Sequence, residues 1–132
     1  MTAEEVTLGF FRCLWDGDLE GALSWCSPDA QFEFAPSLPY PSPAPMRQAL
    51  QSIMQDMYTK FDTEMGLQVT VEHLMSKGDD VAIEYLATGR LRDGREYRNR
   101  YLTYVLVQEE KVRLLRPYTD TAYVSSTLLH SA

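Results

Sequence analysis

The chain has 132 residues, 45% of them hydrophobic, which fits one compact domain over residues 1–132 around a single core. A formal net charge of -7 opposes general binding to phosphate backbones, so no nucleic-acid partner is expected. Arg, Asp or Glu interrupts every long apolar window, so no membrane span is expected, and MTAEEVTLGFF lacks the basic start of a secretory signal, which predicts a cytoplasmic protein.

Thr2 followed by Glu5 forms a capping box, hydroxyl and carboxylate reciprocally satisfying backbone N–H groups, so a helix is predicted from about residue 3. Val6, Phe10, Cys13 and Leu14 give one apolar stripe at helical spacing, and Leu8, Phe11 and Trp15 give a second beside it. Such a wide apolar face needs cover on two sides. Gly17 suits the end of that helix, and Asp18 suits the cap of a short second one carrying Leu19, Ala22, Leu23 and Cys26 before Pro28. Two cysteines on apolar stripes read as buried free thiols rather than a disulfide framework.

QFEF, residues 31–34, alternates polar and aromatic, which predicts a short strand with Phe32 and Phe34 inward. Five of the seven prolines follow between Pro36 and Pro45; APSLPYPSPAP lacks donors for a sheet and predicts an extended loop, a candidate lid, with Tyr40 at its centre. Pro45 suits the first turn of a third helix, where Met46, Leu50, Ile53, Met54, Met57 and Phe61 repeat at helical spacing. These methionines read as core filler.

From Leu67 the period changes to two, and LQVTVEHL, DVAIEYLATGRL, REYRNRYLTYVLV and KVRLLRPY read as four strands joined by turns at SKGD, RDG and QEE. DTAYVSSTLL predicts a short last helix. The order implies an α+β fold, a strongly curved antiparallel sheet wrapped around three N-terminal helices. Alternation puts Val81, Ile83, Tyr85 and Ala87 toward the helices, and sets Tyr97, Asn99, Tyr101 and Thr103 on one face of the next strand. Leu102, Tyr104 and Leu106 then face away, which predicts a homodimer joined through the outer sheet face.

The histidines are His73 and His130, and no HxxxH, HExxH or CxxC occurs, so no metal is expected. His73 shares the parity of Val69 and Val71, which directs it inward, as a hydrogen-bonded core residue or as part of a pocket. Eight of the twelve Lys and Arg fall between Arg90 and Arg116. They mark either a solvated hairpin or an edge that attracts an anionic substrate or carrier.

The order of elements, LWDGDLEGALSWCSPDAQFEF after an amphipathic first helix, and the ending Arg116-x-Tyr118-x-Asp120 resemble the nuclear transport factor 2-like superfamily, and within it the SnoaL-like polyketide cyclases. The resemblance extends over almost the whole chain and implies the cone-shaped, cystatin-like version of the α+β fold. That superfamily hosts isomerases, cyclases, hydrolases, dehydratases and non-catalytic binding proteins, so the fold leaves the reaction open. By position, the general base of ketosteroid isomerase is replaced by Phe34, its oxyanion-hole Tyr by Phe10, and its neutral Asp by a residue near Thr103. The catalytic positions of limonene-epoxide hydrolase fall about Tyr85 and Ala87 and on Pro117. The acid/base Asp of the SnoaL-like cyclases has its nearest match in Asp120.

Parity and resemblance together predict an apolar chamber walled by Phe11, Trp15, Phe34, Tyr85 and Tyr101, with Asn99, Tyr118 and Asp120 as polar points and His73 in reach. Asp120 is then a candidate acid/base, with Tyr118, Tyr85 or Asn99 polarising a carbonyl oxygen. Asp120 is equally placed to be only the N-cap of the last helix. Two functions stay open: a cofactor-independent cyclase, isomerase or dehydratase for a small apolar carbonyl metabolite, or a non-catalytic ligand-binding or dimerisation module.

Overall fold

A computed structural model of the chain describes residues 1–64 and 66–129; His130 lies outside them. Helix α1 (Ala3–Trp15) starts at the capping box: Glu5 N–H donates to Thr2 Oγ1 at 3.1 Å, and Thr2 N–H donates to Glu5 Oε1 at 2.9 Å. Gly17, at φ +75°, turns the chain into α2 (Leu19–Ser24), where Gly21 N–H donates to the Asp18 cap at 2.8 Å.

Cys26, expected on that helix, instead opens strand β1 (Cys26–Phe32). Pairing overrides the local helical pattern: Val112 N–H donates to the Trp25 carbonyl at 2.8 Å, and Cys26 stands opposite Val112. Pro28 falls in the stretch between Cys26 and Gln31 where the register shifts, so its missing N–H breaks no regular ladder. Burial pushes the Cys26 thiol up to about 12.

The proline-rich segment also departs from a pure loop, because its last two residues form β2 (Ala44–Pro45) against Gln31 and Phe32. Helix α3 (Met46–Lys60) follows, then β3 (Leu67–Lys77), β4 (Asp80–Arg90), β5 (Glu96–Gln108) and β6 (Lys111–Thr119). The chain ends in α4 (Thr121–Val124) and a π-helical turn, Ser125–Leu129.

The six strands form one curved, unclosed sheet in the order β2-β1-β6-β5-β4-β3. β3 to β6 are an antiparallel meander, but β1 runs parallel to β6. The sheet is therefore mixed rather than wholly antiparallel. No hairpin links β1 to β6, so turn geometry does not dictate their relative direction.

α1 lies against β3, β4, β5 and β6. Its fully buried Val6 and Phe10 join Ile83, Val105 and Val112 in the main core. A smaller cluster of Phe61, Ala87, Leu91 and Tyr97 closes the other end. Among the described residues no helix is long and apolar enough to cross a membrane.

Candidate functional site

Between α1, α3 and the inner sheet face lies a cavity of about 180 Å³. Its first wall comes from α1, where Phe11 and Trp15 are one helical turn apart with ring centroids 5.1 Å apart. Both rings touch Tyr85 of β4, at 5.5 and 5.3 Å, and Tyr85 stacks on Tyr101 of β5 at 5.3 Å. That stack follows from the ladder, because Tyr85 and Tyr101 are directly opposed. Past the end of β1, Phe34 supplies another aromatic wall.

Tyr97, Tyr101 and Thr119 bring hydroxyl-bearing side chains to the wall of this apolar space. Tyr97 and Tyr101, two alternations apart on β5, meet hydroxyl to hydroxyl at 2.5 Å, and Asn99 Nδ2 donates to the Tyr97 hydroxyl at 3.2 Å. Two phenols hold two protons, and only one is used between them. Among the described residues neither hydroxyl has a further protein acceptor, so one of the two phenolic protons is left without a protein partner. Burial, then the neighbouring Tyr97, holds the Tyr101 phenol far above its ordinary value. Burial likewise raises Tyr97, and it carries Tyr85 to about 12, so all three stay neutral donors near neutral pH. The Tyr85 hydroxyl meets Thr103 Oγ1 at 3.1 Å.

Among the described residues one carboxylate lines the cavity. Asp56 of α3, half-buried, accepts a 2.7 Å hydrogen bond at Oδ2 from the Tyr40 hydroxyl. Tyr40 reaches it from the proline-rich segment and stacks on Phe34 at 4.6 Å. Burial, and then the hydrogen bond to Asp56, holds the Tyr40 phenol well above its usual range, so Tyr40 is the donor in this pair.

The model of the SnoaL-like domain matches residues 8–114. The chain belongs to the SnoaL-like family. No curated protein matches the sequence at a significant level. The SnoaL-like fold is shared with a nuclear transport factor 2-like protein of Burkholderia thailandensis, 14% identical over 99% of both chains with a TM-score of 0.82. A protein assigned as a SnoaL-like polyketide cyclase from Jannaschia is 18% identical, over 98% of this chain and 93% of that one, with a TM-score of 0.78. TerC, crystallised with polyporic acid, is 14% identical over 97% and 98% of the two chains, with a TM-score of 0.77.

Within this SnoaL-like domain, Phe11, Trp15, Phe34, Tyr85 and Tyr101 all line the cavity. Asn99 is buried behind Tyr97 rather than in the wall. His73 is misplaced by simple alternation. A β-bulge at Glu72 sets Val71 opposite Tyr85 but His73 opposite Glu84, which turns His73 onto the outer, exposed face.

Tyr118 is also outside: Pro117 and Thr119 line the cavity, so Tyr118 between them points away, opposite Leu102, and is 54% exposed. Asp120 is exposed and accepts from Tyr123 N–H at 3.0 Å as the cap of α4. Four of the basic residues of the meander, Arg95, Arg100, Arg113 and Arg116, each meet a carboxylate at the partly exposed surface.

Alternation sets Tyr97 on the pocket-facing side of its strand without naming it as a site residue, and it gives no indication of Asp56. For Asp56 a signal existed, since it stands three residues after Ile53 and beside Met57, where helical spacing sets a charge on the apolar stripe.

Proposed function

We propose that the chamber takes a small apolar molecule bearing a carbonyl oxygen, and that the protein is a cofactor-independent cyclase, isomerase or dehydratase working by acid–base chemistry. The observation that carries this reading is the unspent phenolic proton of the Tyr97–Tyr101 pair inside an aromatic chamber. Removing a proton beside a carbonyl moves negative charge onto the oxygen. A neutral donor fixed in a water-poor wall stabilises that charge more than bulk water does. The crystallisation of TerC, of the same fold, with polyporic acid is consistent with an organic ligand. The reading gives no acid–base role to Tyr118, which faces away, or to Asp120 while it remains tied to Tyr123.

The test uses β-tetralone, a fused-ring ketone, and tetralin, its hydrocarbon counterpart. Wild-type protein binds the ketone saturably and more tightly than tetralin by titration calorimetry. Tyr101→Phe and Tyr97→Phe together lose about tenfold of that preference, the worth of roughly one hydrogen bond. Absence of saturable binding to either compound would remove the reading.

A second reading, a binding or dimerisation module, draws on the outer sheet face, where Leu102 is 41% exposed beside Tyr118. We propose a homodimer through that face. Sedimentation of the wild type as a monomer at high micromolar concentration would contradict it.

A further inference from the structure

Resting on the carbonyl-ligand reading above, we propose that Asp56 is the proton-transfer residue of the chamber and that the Tyr40 hydroxyl positions it. Three observations converge on this pair. Asp56 is the only ionisable carboxyl among the residues described as lining the cavity, whose other side chains are apolar, phenolic or hydroxyl-bearing. It belongs to a regular helix, so its backbone is fixed, and its Oδ2 accepts the 2.7 Å bond from Tyr40. Among the described residues nothing hydrogen-bonds Oδ1. One carboxylate oxygen is thereby held and the other is uncommitted, as a base that must be both oriented and available requires.

Tyr40 is suited to positioning rather than to proton transfer. Its ring is clamped against Phe34, and its elevated phenol keeps its own proton. The segment that carries it is anchored close by, because Phe34 N–H donates to Ser42 Oγ at 3.0 Å. Phe34 and Tyr40 therefore line the chamber beside Asp56, while Tyr97 and Tyr101 line it from the sheet side.

The step balances without any co-reactant. Asp56 carboxylate takes a proton from the carbon next to the ligand's carbonyl; the C–H electron pair becomes the carbon–carbon double bond of an enolate, and the carbonyl π pair moves onto oxygen. The free phenolic proton of the Tyr97–Tyr101 pair hydrogen-bonds that oxygen. Return of the proton from Asp56 to the same carbon gives exchange, and return to a conjugated carbon gives an isomer. The substrate class is thus a compact, ring-bearing ketone with an acidic C–H next to its carbonyl, and no charged group is needed for its recognition.

Deuterium uptake by β-tetralone in buffered heavy water, followed by proton NMR, tests the assignment. Wild-type protein is expected to exceed the buffer rate by about 100-fold or more. Asp56→Asn, which can still accept from Tyr40, should bind β-tetralone like the wild type and exchange it at the buffer rate. Tyr40→Phe keeps the ring on Phe34 and loses only the hydrogen bond; its maximal rate should fall at least about threefold with an unchanged half-saturating concentration.

Exchange by Asp56→Asn at the wild-type rate would overturn the proposal, as would loss of exchange in Asp120→Asn with Asp56→Asn unaffected. An unchanged maximal rate in Tyr40→Phe overturns the positioning role. Wild type that binds the ketone but never accelerates exchange overturns the assignment and leaves the binding reading standing. Wild type that does not bind it removes the reading beneath.

Discussion

His73 and Glu84 face each other across β3 and β4, Nδ1 to Oε1 at 2.7 Å, on the side of the sheet turned away from the cavity. The pair exists because β3 has one residue more than β4 between Val71 and Leu74, and that residue rotates His73 out while returning Leu74 to the core side. A surface contact with the His side chain 71% exposed competes with water and holds little energy. His73→Ala is therefore expected to change unfolding stability by less than about 1 kcal/mol and to leave β-tetralone affinity unchanged. Urea unfolding and calorimetry on the variant check both, and a clear loss of affinity would mean that His73 faces the chamber after all.

Asp120 acts where helix α4 begins, its Oδ1 accepting from Tyr123 N–H. Replacing it with Ala removes that acceptor and should cost about 1 kcal/mol, whereas Asn caps nearly as well. Thermal melts of Asp120→Ala and Asp120→Asn should therefore differ. Equal melts for the two would show that the cap contributes nothing measurable.

Physical locality separates what patterning reveals from what it hides. The cap at Asp120 and the capping box at Thr2 and Glu5 each link residues three positions apart, so both are readable without knowing the fold. Tyr85 and Tyr101 are nearly as legible, because β4 and β5 pair from Asp80 to Arg90 without a register shift and alternation holds throughout. His73 fails on a single inserted residue, which no periodicity announces. Likeness of the chain's ending to a family motif directs Tyr118 inward, yet its own neighbours Pro117 and Thr119 carry the inward parity. Asp56 and Tyr40 meet only because a proline-rich segment folds back onto α3, and that path is a tertiary event.

The buried phenols make a statement about alkaline stability. Tyr85 ionises near 10 when exposed and is raised to about 12 in the fold, with Tyr97 and Tyr101 raised in the same direction. A raised folded value means that the native state holds its proton longer than the unfolded chain does. The contribution is fully present below pH 10 and is lost as pH rises toward 12, so the melting temperature should fall through that window. Tyr85→Phe should flatten the fall. A wild-type melting temperature that is level from pH 10 to 12 would contradict burial of these three hydroxyls.

Gly9 offers the strictest test of packing between the first two helices. In the middle of α1, an alanine is ordinarily better than a glycine by about 1 kcal/mol, since glycine loses more backbone freedom on folding. Here a Cβ would come within 2.6 Å of Cε2 in the Trp25 indole. That contact is with a rigid ring rather than the loose end of a chain, and the Trp25 carbonyl is itself held by Val112 N–H at 2.8 Å. Relief therefore requires either α1 or the start of β1 to move, and overpacking of this kind costs about 1–3 kcal/mol. Gly9→Ala should be destabilised in urea despite the better helix former, and Gly9→Ala combined with Trp25→Leu should lose less than the sum of the two single changes. Strict additivity would mean that the two residues do not touch, and a stabilised Gly9→Ala would mean that the helix lies farther from the indole than the fold places it.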